Sequence, residues 1–345
     1  MSRLCGLSLR WVRVIGAAAA IAAGPASADL FDEPEPLALS LTLDFGDLCR
    51  SDDCAPTPAT LAFTAGGTER QIAVGLRTRG RWRNDASNCS VPPLAVFFDA
   101  AAAGTPFAGE TMLPLTTHCR DKPAAYEQYV LKEHIAYGIY NALTAKSPRT
   151  RLARITYRDT RRGHTVERFA FFTEHFDSVA ARNGATYFQP DAFDPREGNA
   201  LELATVDLFE FLIGNTDWSA VAGHNIALIR TPEGSVSPIA YDFDFSGIVA
   251  AFYAEPPPQL RIRHVTQRVF RGFCYPDVDW PAVFDRFRSR RAAIEAAIDT
   301  EVDTLLPAQR ESARKYVAGF FAILDSPERR QRDIVGACRP LTEAD

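Results

Sequence analysis

Short stretches in which apolar and polar residues alternate run through the first half of the chain. A period of two residues is typical of strands that turn one face towards a core. These stretches cover residues 37–45, 60–64, 71–76, 94–98, 152–157 and 168–172. Gly66 and Gly67 separate the second stretch from the third, and paired glycines suit a tight hairpin turn. The pattern therefore predicts a small antiparallel sheet.

Helical periodicity replaces this alternation in one tract of the first half. Residues 123–143 predict a long helix, with Asp121 as a possible N-cap and Pro123 in the first turn. Tyrosines recur on one face of this helix, a pattern that is more often core packing than ligand binding. These tyrosines are Tyr126, Tyr129, Tyr137 and Tyr140.

The second half of the chain is dominated by helical periodicity. Residues 201–213 are apolar nearly all round, which indicates a buried helix. Further amphipathic helices are predicted over residues 266–273, 281–299 and 307–324. The order of elements thus predicts an α+β protein, with a β-rich part over residues 29–190 and a mainly helical part over residues 191–345.

The first 28 residues have the features of a secretory signal peptide. Arginines precede a short apolar stretch, residues 14–24, and Ala26-Ser27-Ala28 forms a small-residue cleavage site. The apolar stretch is too short to span a bilayer, and no later segment has a long uninterrupted apolar run. We expect cleavage near Ala28 and Asp29, and a mature periplasmic or secreted protein without a membrane span.

Cysteine usage agrees with export. Cys5 belongs to the signal peptide, and the remaining six cysteines are an even set, which is typical of disulfide bonding outside the cytosol. Six cysteines allow fifteen connectivities. We favour the pairs Cys49–Cys54, Cys89–Cys119 and Cys274–Cys338. A zinc site is the alternative, but the sequence has no C-x-x-C pair to support it.

Two acidic loops flank an apolar hairpin directly after the predicted buried helix. Asp217 lies in the first loop, where its carboxylate could accept a hydroxyl proton during phosphoryl transfer. The hairpin would return Asp242 and Asp244 to Asn225, and we predict these three residues as ligands of one Mg²⁺ ion. The alternative is that these residues only cap and close turns. A histidine such as His224 is more often oriented by a hydrogen bond than used as a ligand.

Between about residues 40 and 250 the chain resembles known families. Gly-Asn-Thr-Asp at 214–217, His-Asn at 224–225 and Tyr-Asp at 241–242 resemble the catalytic and metal loops of HipA-type and CotH-type kinases. Exported bacterial proteins of the CotH-like group, whose function is unassigned, are a closer resemblance. Four of their segments are matched in this chain. These are the Arg-Gly segment at residues 79–81, the Cys-x-x-Pro-Pro-Leu strand at 89–94, the Thr-His-Cys segment at 117–119 and the Tyr-Glu-Gln-Tyr-Val-Leu helix at 126–131.

This resemblance implies a protein-kinase-like two-lobed fold. The N-lobe would be β-rich with one long helix, and the C-lobe would be mainly helical. Asp217 would be the catalytic base, with Asn225 and Asp242 as metal ligands. Glu133 or Glu127 would be the helix carboxylate that faces the nucleotide.

The sequence differs from these relatives at the positions that would supply a positive charge to the nucleotide phosphates. Ala95 and Pro114 stand where the relatives have basic residues. Arg79, Arg81 or Arg83 could supply the charge instead, and we assign Arg79 and Arg81 to nucleotide binding. Arginine differs from lysine in presenting a planar, delocalised charge.

Three functions follow from these residues. The first is an atypical phosphotransferase of the cell envelope, which would use Mg²⁺ or Mn²⁺ with ATP or another nucleotide. Its acceptor would be a hydroxyl of an envelope protein or a small molecule. The second is a catalytically inactive kinase-like protein in envelope binding or assembly, and the third is a metal-dependent hydrolase. The formal net charge of −5 indicates no nucleic-acid-binding surface.

Overall fold

Seven strands from the first half of the chain close into a barrel. The computed structural model describes residues 29–51, 53–65, 67–300 and 304–344, so the predicted signal peptide lies outside the described residues. In chain order the elements are β1 (Leu37–Leu43), β2 (Thr57–Ala65), β3 (Thr68–Thr78), β4 (Leu94–Phe97), β5 (Met112–Thr116), α1 (Ala125–Leu143), β6 (Thr150–Asp159) and β7 (His164–Thr173).

The strand pairing explains how the barrel closes. Neighbouring strands follow the order β1-β2-β3-β4-β5-β7-β6, and β1 then pairs with β6. The β1–β6 pairing is parallel, with Leu37 opposite Ala153, and covers the edges that both strands would otherwise expose. Alternate side chains point inwards and form the barrel core, which includes Leu41, Leu61, Ile72, Leu76, Val96, Leu115, Ile155 and Phe172.

The second half combines a three-stranded sheet, in the order β10-β9-β8, with several helices. The elements are α2 (Phe176–Arg182), β8 (Thr186–Phe188), α3 (Ala200–Ile213), β9 (Ile226–Arg230), β10 (Val236–Ala240), α4 (Trp280–Ser289), α5 (Arg291–Ala297), α6 (Pro307–Leu324) and α7 (Pro327–Asp333). Helix α3 is buried along almost its whole length, as its apolar sequence predicts.

Helix α1 lies outside the barrel and joins it to the second half. It contacts β6 and β7 on one side and α5 on the other. Tyr140 stacks on Phe209 of α3, with 4.3 Å between ring centroids, and Tyr137 packs against Phe171 of β7 and against Phe243. These two tyrosines are core residues, as the sequence predicts.

The predicted two-lobed protein-kinase-like fold is wrong. The first-half strands form a closed mixed barrel, and the second half carries a sheet beside its helices, so a mainly helical C-lobe is not evident. Alternation along a strand identifies its buried face but not its partner, so β1–β6 closure could not be predicted. Residues 266–273, which the sequence predicts as a helix, are irregular. Within this segment the side chain of Arg268 donates to the carbonyl of Leu212.

The three predicted disulfides are confirmed, at Cys49–Cys54, Cys89–Cys119 and Cys274–Cys338. Disulfides of this kind are compatible with export to an oxidising compartment. Among the described residues, the helices are all too short or too polar to cross a membrane.

A buried carboxyl group on α3 gives the fold a dependence on pH. Asp207 is 1% exposed, and the hydroxyl of Tyr275 donates to its Oδ2 at 2.9 Å. Burial raises the pKa of Asp207 to about 7, although the hydrogen bond from Tyr275 opposes the shift. The folded protein therefore keeps a proton that the unfolded chain releases at lower pH.

We expect Asp207→Asn to flatten the pH dependence of stability. Because the folded pKa is raised, the stability from this group is complete below pH 4 and is lost as pH rises to about 7. A shift of this size corresponds to on the order of 4 kcal/mol of unfolding free energy. Urea unfolding at pH 5 and pH 8 measures the part of this loss that falls between the two pH values, about 2–3 kcal/mol. An equal pH difference in Asp207→Asn and in the control Asp285→Asn, on an exposed surface of α4, would contradict the assignment.

Candidate active site

The loop after α3 is shaped by its own backbone and side-chain contacts. Helix α3 ends at Gly214, whose φ of 68° is left-handed, and a Cβ there would collide with the Tyr316 hydroxyl. The Oδ1 of Asn215 then accepts the backbone N–H of Asp217 at 2.9 Å. Trp218 donates from its indole nitrogen to the Asn215 carbonyl. These contacts fix the position from which the Asp217 side chain projects.

The carboxylate of Asp217 is held by two neighbours and remains partly open to solvent. His224 Nε2 lies 2.9 Å from Asp217 Oδ1, and this hydrogen bond raises the pKa of His224. Asn225 Nδ2 lies 3.4 Å from the other carboxylate oxygen, Oδ2, and also donates to the backbone carbonyl of Asp217 at 2.7 Å. The Asp217 side chain is 38% exposed, so it is positioned and accessible at once. The same hydrogen bond orients the His224 ring.

The hairpin of β9 and β10 brings the second acidic loop to the first. Tyr241 donates its backbone N–H to the Asn225 carbonyl at 3.1 Å, directly beyond the strand pairing. Asp242 has a φ of 62°, which is uncommon for a residue other than glycine. Its backbone N–H donates to the Tyr137 hydroxyl of α1 at 3.0 Å. Such a conformation persists only where surrounding contacts hold it.

One pocket of about 520 Å³ collects these residues at the junction of the barrel and the second half. Its walls come from the segment after β3 and from the two acidic loops. The lining includes Arg79, Arg81, Trp82, Arg83, Asp217, His224, Asn225, Asp242, Asp244 and Phe245.

A single buried arginine joins the walls of this pocket. Arg83 Nη2 lies 2.7 Å from Asp242 Oδ1, and Arg83 Nε lies 3.3 Å from Asp244 Oδ2. Its Nη1 lies 3.6 Å from Glu133 of α1. The Arg83 and Glu133 side chains are 9% and 2% exposed, so the charges interact with little screening by water.

The charges of this cluster do not balance, because three carboxylates share one guanidinium. Burial raises the pKa of Glu133 and of Asp244, and Arg83 only partly opposes the shift. Burial would lower the pKa of Arg83, but the neighbouring carboxylates raise it well above its ordinary value. The cluster therefore attracts either a proton or a further cation.

The predicted site residues come together in this pocket almost completely. Six of them line the pocket, namely Arg79, Arg81, Asp217, Asn225, Asp242 and Asp244. Glu133 lies behind Arg83 and contacts the pocket residues through it. Glu127 instead accepts the backbone N–H of Phe169 and supports the barrel. Arg83, rather than Arg79 or Arg81, is the buried partner of the carboxylates, and sequence spacing could not distinguish these arginines.

The donor atoms fit a small divalent cation at two of the three predicted positions. Asn225 uses Nδ2 on Asp217, which leaves its amide oxygen as a possible ligand, and Asp242 is 28% exposed in the pocket. Asp242 accepts from Arg83 through Oδ1 at 2.7 Å, whereas Asp244 is buried and accepts from both Arg83 and the Tyr253 hydroxyl, the latter at 3.2 Å. The described residues contain no group of three or more His, Cys, Asp or Glu that could hold a metal. Mg²⁺ needs only one or two carboxylates when phosphates complete its shell.

Comparison with solved structures gives a distant similarity. The chain is similar to the crystal structure of a Helicobacter pylori proinflammatory kinase, CtkA, at 13% sequence identity and a TM-score of 0.34. The match covers 73% of this chain and 90% of that chain, and is too weak to establish a fold or an activity. No protein-family model and no curated protein sequence matches the chain, so the CotH-like resemblance stays a prediction.

We expect Arg83→Met to destabilise the protein by about 3–5 kcal/mol at pH 8, because removing one partner leaves buried carboxylates unpaired. The loss should be smaller at pH 5, where Glu133 and Asp244 can take up protons. Arg83→Lys should fall between the two, since a lysine reaches fewer carboxylates. Urea unfolding measures the free energy of unfolding of the wild type and of both Arg83 variants. Arg81→Met, at an exposed neighbouring position, is the control. Equal losses for Arg83→Met and Arg81→Met would contradict this role.

Proposed function

We propose that this chain is a metal-dependent phosphotransferase, which moves a phosphoryl group from a nucleotide to a hydroxyl group. The observation that carries this proposal is the set of residues that line one pocket. The accessible carboxylate of Asp217 shares this pocket with two candidate oxygen ligands, Asn225 and Asp242. Several arginines line the same walls. Phosphoryl transfer depends on positioning and on charge stabilisation, which these three components can provide.

Asp217 is the proposed base of the reaction. The acceptor O–H loses its proton to the Asp217 carboxylate as its oxygen forms a bond to the terminal phosphorus. The bond from that phosphorus to the bridging oxygen breaks, and a nucleoside diphosphate leaves with the electron pair. His224 keeps the carboxylate in place through its hydrogen bond to Oδ1. The raised pKa of His224 favours its charged form, which stabilises the carboxylate until the proton arrives.

Arginines and a cation would stabilise the phosphates. Arg79 and Arg81 line the pocket from the barrel side and can donate to phosphate oxygens in pairs. Asn225 and Asp242 would hold Mg²⁺ or Mn²⁺, which when bound neutralises charge on the transferring phosphoryl group. Arg83 acts as a positioning residue, because its guanidinium fixes Asp242 in the conformation described above.

An adjoining cavity supports a nucleotide as the donor. This cavity of about 560 Å³ shares Arg79 and Gly80 with the pocket, so the two lie side by side. Its walls combine apolar and aromatic residues, namely Ala95, Phe97, Met112, Pro114 and Phe176, with polar and charged ones that include Arg50, Arg77 and Asn84. The aromatic rings offer a surface for the base of a ligand such as ATP, and the arginines offer positive charge for its phosphates.

The location of the reaction is part of the same proposal. Three disulfides favour an oxidising compartment, and we propose the cell envelope, with a protein or small-molecule hydroxyl there as acceptor. A nucleotide would have to be supplied to that compartment.

A non-catalytic binding protein is the second candidate. The observation that favours it is the cation already inside the site, because Arg83 pairs with both Asp242 and Asp244. In that case the pocket would hold an anionic ligand without a requirement for a divalent metal.

Thermal unfolding and ADP release together test the first proposal. We expect Mg²⁺ with ATP to raise the melting temperature, since a ligand at 100 times its Kd contributes about 2.7 kcal/mol to the native state. Asp242→Asn should lose this increase. Asp217→Asn should keep it but slow ADP release, to water or to the protein itself, by about 10²–10⁴-fold.

The control is Asp285→Asn, which changes an exposed carboxylate of α4 and should behave as the wild type. No nucleotide-dependent shift in the wild type would overturn the phosphotransferase proposal. If nucleotide raises the melting temperature without metal and no ADP is released, the binding protein is favoured. If metal alone raises the melting temperature and Asp242→Asn abolishes this increase, a metal-dependent hydrolase is favoured.

A further inference from the structure

An aromatic surface continues outward from the pocket, and we call it the aromatic wall. Its side chains contact one another in a continuous series of ring pairs. Trp82 and Phe245 also line the pocket, so the wall begins at the site itself. The aromatic wall consists of Trp82, Tyr126, Tyr129, Phe245, Phe252 and Tyr253.

The wall exposes two large apolar side chains. Among the described residues, the large hydrophobic side chains that are exposed are Trp82 at 37%, Phe252 at 63% and Leu306 at 57%. Two of these three therefore belong to one surface beside the pocket. Contiguous exposed apolar surface of this kind is typical of an interaction site rather than of a random surface.

The wall is held rigidly in place. Tyr253 stacks on Trp82 with 4.7 Å between ring centroids, and its hydroxyl donates to Asp244 Oδ2 in the site. Tyr126 packs against the disulfide between Cys89 and Cys119. Ordered side chains lose little entropy on binding, which favours affinity.

The segment that presents Phe252 is also constrained. Ala250, two residues earlier, has a φ of 49°, a left-handed conformation that is strained for alanine. The Ala250 N–H donates to the carbonyl of Ser246 at 2.9 Å, which holds this turn. Phe252 is thereby directed to solvent, with its ring 5.3 Å from Tyr126.

Two exposed arginines flank the wall, with the exposed Glu255 also nearby in the chain. Arg81 is exposed on the pocket side, next to Trp82 in the chain. Arg120 is exposed on the other side, where its Nε donates to the Asn88 carbonyl at 2.7 Å and its charge acts on Tyr126. The surface is therefore complementary to a partner that carries both apolar and acidic groups.

We propose that the aromatic wall binds a polypeptide acceptor, which presents a large apolar or aromatic side chain to Phe252 and acidic side chains to Arg81 and Arg120. The inference rests on the proposed function in one respect, namely that a hydroxyl of this segment enters the pocket beside Asp217. It selects a protein over a small molecule as the substrate class.

The geometry favours a polypeptide over a sugar. Phe252 protrudes with most of its ring exposed, and its neighbours meet it at steep angles, 78° for Tyr126 and 75° for Tyr253. Such a protruding ring can insert between side chains of a partner. Aromatic residues beside arginines are also the residue types that contribute most to protein–protein binding.

Selection of random 12-residue peptides displayed on phage tests the proposal without nucleotide or metal. We expect the disulfide-bonded, signal-free chain to select peptides that combine aromatic or large aliphatic residues with acidic residues. Synthetic peptides of the selected sequence, measured by fluorescence anisotropy, should bind Phe252→Ser at least tenfold more weakly, as expected for loss of a central aromatic contact. Raised salt should weaken binding to the wild type.

Leu306→Ser is the matched control, since it removes an exposed apolar side chain that the ring pairs of the wall do not include. Its affinity should equal that of the wild type. Failure to select peptides, equal binding by Phe252→Ser and wild type, or binding of an oligosaccharide array in place of peptides would each overturn the proposal. Because peptide binding needs neither ATP nor metal, its failure is distinguishable from failure of the phosphotransferase assay.

Discussion

The guanidinium of Arg83 is the contact on which the rest of the site depends. It lies on the segment after β3 and reaches Glu133 of α1 and both acidic residues of the loop after β10. These three parts of the chain would otherwise place like charges close together in a buried region. The same ion pairs therefore contribute both to the site and to the packing of the barrel against the second half.

Helix α1 transmits this packing to the backbone of the site. Tyr137 accepts the Asp242 N–H, and Tyr140 accepts the Ala240 N–H at 3.3 Å, so hydroxyls of core tyrosines position the end of β10. Their rings meanwhile pack against Phe243 and Phe209. Core packing and positioning of the site are thus carried by the same side chains, which explains why the tyrosine stripe is fully enclosed there.

The aromatic wall extends the same physical arrangement to the surface. Tyr253 donates to Asp244 within the charge cluster and stacks on Trp82 at the rim. A partner bound to the wall would therefore contact a group that is joined directly to the carboxylates of the site. The wall is also close to the Cys89–Cys119 disulfide, which favours one fixed shape for it.

The sequence by itself determined the local features. Its periodicity predicted most strands and the buried helix α3, and the order of turn residues placed Asp217, Asn225 and Asp242 in loops on either side of one hairpin. These features follow from neighbours a few residues apart. Only the tertiary structure decided that β1 closes on β6 and that Arg83 is the buried cation. Both outcomes depend on contacts between residues far apart in the chain, and local patterns carry no information about such partners.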